Sequence, residues 1–146
     1  MQVPHNSFVL VADGRKMLFL RNEGDSEFLK LEVERKQEQD NPADRDQMTD
    51  GHGKAPGGGG VGGSTYERVD HHQLEEVRFA ANAADMLKQR ALRGDFESLI
   101  IVAPPKTLGE LRKHYHKEVE RRLSGEIAKD LTGHPVEEIE KIISAQ

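Results

Sequence analysis

Two aspartates stand at positions where carboxylates do chemistry in many α/β proteins. Asp13 closes the apolar run Phe8-Val-Leu-Val-Ala and precedes Gly14; Asp130 lies two residues before Thr132. Carboxylates gathered at strand ends are what metal-dependent hydrolases use to hold paired cations. A second group surrounds Pro104-Pro105, where the apolar run Leu99–Ala103 stops: Lys106 and Thr107, with Glu110 and Arg112 about a turn further on. Cations beside the free N–H groups of a helix start would hold an anion, and Arg15 would reach the same place from the first hairpin. Each residue also has a structural job. Asp13-Gly14 is a strong hairpin signal, Asp130 sits in the loop before the last helix, and Thr107-x-x-Glu110 is a capping box that would satisfy the helix N–H groups itself. The run Leu99–Ala103 brings no carboxylate, and neither Ser98 nor Ser124 has a histidine at a telling spacing. No catalytic residue is assigned, and a metal-dependent hydrolase is the weakest functional reading.

His71-His72 and His114-x-His116 are one and two residues apart, whereas ligands on a helix need three or four. They are expected to be solvated surface histidines, with no metal site. The run Gly57-Gly58-Gly59-Gly60-Val61-Gly62-Gly63 has no strand directly before it and no Gly-Lys-Ser/Thr after it, so it matches neither a P-loop nor a dinucleotide fingerprint. It reads as a linker, or as a mobile arm ahead of a helix that contacts RNA or protein. No small-molecule cofactor is predicted.

The elements that must position these residues follow from periodicity. Ser7–Asp13, Met17–Leu20 and Phe28–Val33 read as three antiparallel strands. From about Glu34 to Ser64 apolar residues nearly vanish, so residues 34–64 are expected to be a flexible polar and glycine-rich insert in a single domain. A helix follows from about Tyr66–Asp70, with Leu74, Val77, Ala80, Ala81, Ala84, Leu87, Ala91 and Leu92 on its apolar face and Gly94 as its stop. Phe79 and Met86 lie off that face and are expected to pack under the C-terminal helix or to form a partner contact. Then come a buried strand at 98–103, a helix from Leu108 to about Lys117, a helix-to-strand transition with the strand near Leu123–Lys129, and a last helix opened by Pro135.

This order is β-β-β-loop-α-β-α-β-α. Right-handed crossovers give a mixed five-stranded sheet of order 3-2-1-4-5 covered by helices, a ribonuclease-H-like α/β fold. The carboxyl ends of strands 1, 4 and 5 then lie side by side. Asp13, Pro104 to Thr107 and Asp130 to Thr132 are therefore predicted to line one rim.

Four segments in this order, Val9–Gly14, Leu99–Pro105, Leu108–Arg112 and Lys129–Thr132, resemble the bacterial host attachment protein family, described as required for attachment to host cells. The resemblance runs along nearly the whole chain and implies no established reaction. More distantly the chain is similar to the middle domain of archaeal and eukaryotic peptide-chain release factors. There a glycine-bearing loop ahead of a long helix carries Gly-Gly-Gln; here Ser64 follows Gly63 and no glutamine does.

Composition bounds the rest. With 146 residues, a net charge of −5 and 32% charged residues, a general charge-driven nucleic-acid binder is not expected. No cysteine is present, which excludes disulfides and thiolate chemistry. No signal peptide opens the sequence, and no apolar run approaches the roughly 20 residues of a membrane span, so a cytoplasmic protein without membrane insertion is expected. The sequence is read first as a non-enzymatic interaction protein of the host attachment family that acts indirectly in attachment. Its rim (Asp13, Arg15, Pro104, Lys106, Thr107, Glu110, Arg112, Asp130, Thr132) would meet a protein partner. The alternative is a ribosome- or RNA-associated protein of release-factor-like descent that uses Gly57–Gly63.

Overall fold

In the computed structural model the backbone is described for residues 1–38 and 61–146, and the side chains for 1–37 and 73–146. The elements are β1 (Phe8–Ala12), β2 (Lys16–Asn22), β3 (Leu31–Glu38), α1 (Val61–Leu92), β4 (Leu99–Val102), α2 (Pro105–Arg112), α3 (Lys117–Arg122), β5 (Leu123–Ile127) and α4 (Val136–Ser144). They form one mixed sheet of order β3-β2-β1-β4-β5, as expected. β1 pairs with β4 in parallel (Phe8 opposite Leu99) and β4 with β5 in parallel, while β1–β2 and β2–β3 are antiparallel. β1 and β4 are buried along their whole length, which is why they read as continuous apolar runs.

Alternation along these central strands divides the core in two. Phe8, Leu10, Leu99 and Ile101 face α1, α2 and α3, joining Phe79, Ala83, Leu87, Leu108, Leu111 and Val119. Val9, Val11, Ile100 and Val102 face the other way, onto Ile139 and Ile143 of α4 and Val3 of the N-terminal arm. Small residues Ala80, Ala83, Ala84 and Ala91 are at most 3% exposed, so α1 lies close on the sheet. Phe79 belongs to this α1 face and not beneath the C-terminal helix, which is on the opposite side. Met86 packs at the margin of the same cluster, whereas Leu74 and Leu92 stay more than half exposed. The helix stripe is therefore rotated from the predicted one toward Phe79 and Ala83.

Several boundaries differ from expectation for local reasons. Phe28 is 75% exposed and precedes β3, because the Asp25 carboxylate takes the backbone N–H groups of Glu27 and Phe28 and closes a turn there. The buried amide of Asn22 takes the Gly24 and Lys30 N–H groups, so ladder pairing starts only at Leu31. β3 then runs on to Glu38, through residues whose polarity predicted an insert from residue 34. As an edge strand it needs few apolar side chains, and Glu34 is engaged by Arg21 (2.8 Å) and Arg90 (3.1 Å). α1 begins at Val61, so the backbone of Gly62 and Gly63 is helical and not part of a loop; Gly57–Gly60 lie outside the described residues. Gly94 (φ 76°) ends α1 as predicted, with the Asp95 N–H on the Arg90 carbonyl and the Gly94 N–H on the Ala91 carbonyl.

Candidate functional site

The rim forms where β1, β4 and β5 end. At the β1–β2 turn the Asp13 N–H donates to the Lys16 carbonyl, and Asp13 Oδ1 accepts from the N–H groups of Arg15 and Lys16, both at 2.7 Å. One carboxylate oxygen thus fixes the turn, and Oδ2 is left to point across the rim. It meets Thr132 Oγ1 at 2.9 Å. The same hydroxyl lies 2.8 Å from Oδ1 of Asp130, which also accepts from the Thr132 N–H. A hydroxyl has one proton, so it donates to one carboxylate at a time. Asp13 is therefore joined in one hydrogen-bonded set to Asp130 and Thr132, more than a hundred residues further along the chain, and Thr132 is buried.

Gly14 has a different role from the one its hairpin signal gives. It does not have the positive φ of a type I′ turn. A Cβ there would stand 3.0 Å from Glu76 Cγ, so glycine admits the Glu76 side chain of α1 against the hairpin. Glu76 in turn accepts the Lys106 ammonium at 3.5 Å. The rim consequently carries Glu76 as a third carboxylate, which no local motif indicated because it comes from the far side of the long polar stretch.

The capping box does not form. α2 starts at Pro105, with Pro104 as N-cap and no side-chain cap bond. Proline at the first helical position has the helical φ already and needs no N–H partner, so the helix begins before Thr107 and leaves it inside the first turn. Glu110 pairs instead with Lys113 at 3.1 Å.

Arg112 leaves the rim altogether. Its guanidinium grips Glu126 of β5 (Nη2–Oε1 2.7 Å, Nε–Oε1 3.0 Å), and the Tyr115 hydroxyl donates to Glu126 Oε2 at 3.0 Å. Bonding to Arg112 holds the Glu126 carboxyl below its ordinary range, against the opposing effect of burial. Burial first, and then Glu126, push the Tyr115 phenol upward, so it stays a donor at neutral pH. The histidines divide too. His116 is the N-cap of α3, its Nδ1 accepting the Glu118 N–H at 3.0 Å, whereas His114 is exposed. His71 and His72 lie outside the residues whose side chains are described. Among the described residues no three His, Asp or Glu side chains are grouped to hold a metal ion, and no helix is long and apolar enough to cross a membrane. Ser98 and Ser124 hydrogen-bond each other through their hydroxyls.

An uncharacterized protein of Rickettsia prowazekii (strain Madrid E) is 31% identical over 88 residues, covering 57% of each chain; this chain thus spans little more than half of that relative. The sequence profile of bacterial archaeo-eukaryotic release factor family 12 matches residues 6–143, from the residues before β1 into the last turn of α4. Of the two likenesses in the sequence, the match is to the release-factor one, and neither match speaks of host attachment. With nearly its whole length matched, the chain belongs to bacterial archaeo-eukaryotic release factor family 12.

Proposed function

We propose that this protein is a non-enzymatic, ribosome- or RNA-associated binding protein of release-factor-like descent. The observation that carries the proposal is the family match over residues 6–143, together with a continuous sheet that accounts for the matched segments as one unit. Peptide release is not part of it. The glycines at 57–63 are followed by Ser64, so the glutamine that resembling release factors place after their glycines is missing. Catalysis at the rim is not part of it either, since Asp13 is committed to its turn and Asp130 to Thr132. Any role in host-cell attachment would be an indirect consequence of such binding. The test is sedimentation of the purified protein with bacterial ribosomes on a sucrose gradient at low salt. The protein is expected in the ribosomal fractions; recovery only at the top of the gradient would rule the reading out.

A further inference from the structure

The rim is not a concentrated basic surface, because Asp13, Asp130 and Glu76 stand among the cations Arg15, Lys16, Lys106 and Lys129, and Lys106 is already paired. A better surface is the connection between α2 and α3. Its sequence, Arg112-Lys113-His114-Tyr115-His116-Lys117, has no acidic residue in a chain of net charge −5. Arg112, Lys113, His114 and Lys117 are all exposed. His114 and Lys117 make no ion pair or side-chain hydrogen bond with another described residue, and Lys113 holds Glu110 only through a surface pair, which a phosphate can displace at little cost. Two contacts stiffen the segment. Glu126 clamps Arg112 and Tyr115 onto β5, and His116 caps α3 through Nδ1, which leaves the ring proton on Nε2 as a donor. On the opposite face of the sheet α4 exposes Glu137 and Glu138 against a single lysine, Lys141, so its exposed charge is net acidic. A basic segment on one helical layer and an acidic helix on the other would turn the molecule toward a phosphate backbone in one orientation.

We propose that the α2–α3 connection, centred on Lys113, His114 and Lys117, is the surface by which this protein meets RNA phosphates. The proposal rests on the ribosome- or RNA-associated reading above and narrows it to one face. It is tested with purified ribosomes and with a short fluorescein-labelled RNA hairpin, each titrated over a KCl series with the full chain. Lys113→Ala combined with Lys117→Ala is expected to weaken both interactions roughly tenfold at low salt and to flatten the slope of log K against log [KCl] by about 1.4–1.8, two phosphate contacts' worth. Glu137→Gln with Glu138→Gln on α4 is expected to weaken neither. Unchanged melting temperatures confirm that both variants fold. If the wild type binds ribosomes and hairpin but the lysine variant keeps its affinity and slope, the surface is misassigned and the broader reading stands. Binding to ribosomes without binding to the hairpin would place the contact on ribosomal protein and overturn this inference alone. A wild type that binds neither overturns both.

Discussion

Glu126 shows how one carboxylate can define a local structure that no motif announces. It stands on an edge strand and gathers Arg112 from the end of α2 and Tyr115 from the connection beyond it. Its folded carboxyl titrates below the ordinary glutamate value of 4.5, chiefly because Arg112 is bonded to it. A lowered acid contributes stability that is fully present above the unfolded pKa and is lost as pH falls through the folded one. Glu126→Gln is therefore expected to cost about 0.5–1 kcal/mol at pH 7, in keeping with a partly solvated pair. The gap from wild type should close as urea denaturation is repeated at successively lower pH below 4.5. A gap that stayed constant with pH would mean that packing of Tyr115, and not charge, is what Glu126 supplies. At this scale the sequence was only partly legible. Asp13 and Asp130 could be placed on one rim from strand ends alone, and Thr132 with them. The Glu126 partnership could not, since it depends on where α2 stops, and Pro105 starts that helix earlier than the Thr107–Glu110 spacing implies.

The elements were more legible than their boundaries. The apolar runs of β1 and β4, and the glycine that stops α1, state their roles in residue types that have few other uses. The rotation of the α1 face is different: Phe79 and Leu74 are similarly apolar, and only the three-dimensional packing decides that Phe79 is buried and Leu74 is not. β3 starts at Leu31 and not at Phe28 because the side-chain bonds of Asp25 and Asn22 outweigh the alternation of Phe28 to Val33. The α1 terminus gives a prediction at this scale. Gly94 has φ 76° and open space where a Cβ would stand, so Gly94→Ala meets no clash and isolates the backbone cost of the left-handed conformation. It is expected to destabilise by roughly 1–2 kcal/mol, the cost of the left-handed conformation to a residue with a Cβ, read as a lower thermal midpoint. No change in midpoint would mean that the last turn of α1 unwinds without affecting the fold.

At the scale of the molecule, one sheet separates two helical layers, and alternate residues of the same strands supply both cores. Leu10 packs toward α1 while its neighbours Val9 and Val11 pack toward α4. A cavity on either side must therefore loosen strands that the other side also uses, so the two layers are expected to unfold together. Leu111 of α2 and Ile139 of α4 are both fully buried, one in each core. Leu111→Ala and Ile139→Ala should each cost about 2–5 kcal/mol. Neither should change the dependence of stability on urea concentration, because the surface exposed on unfolding stays the same. Far-UV circular dichroism follows both helical layers, and in a Tyr66→Phe background Tyr115 fluorescence reports from the α2–α3 side alone, there being no tryptophan and no third tyrosine. Coincident transitions by the two probes in Ile139→Ala would show that damage beneath α4 reaches Tyr115 through the sheet. Should the dichroism signal fall first, with a shallower urea dependence, α4 would be a separately melting layer, and the shared central strands would not couple the two cores.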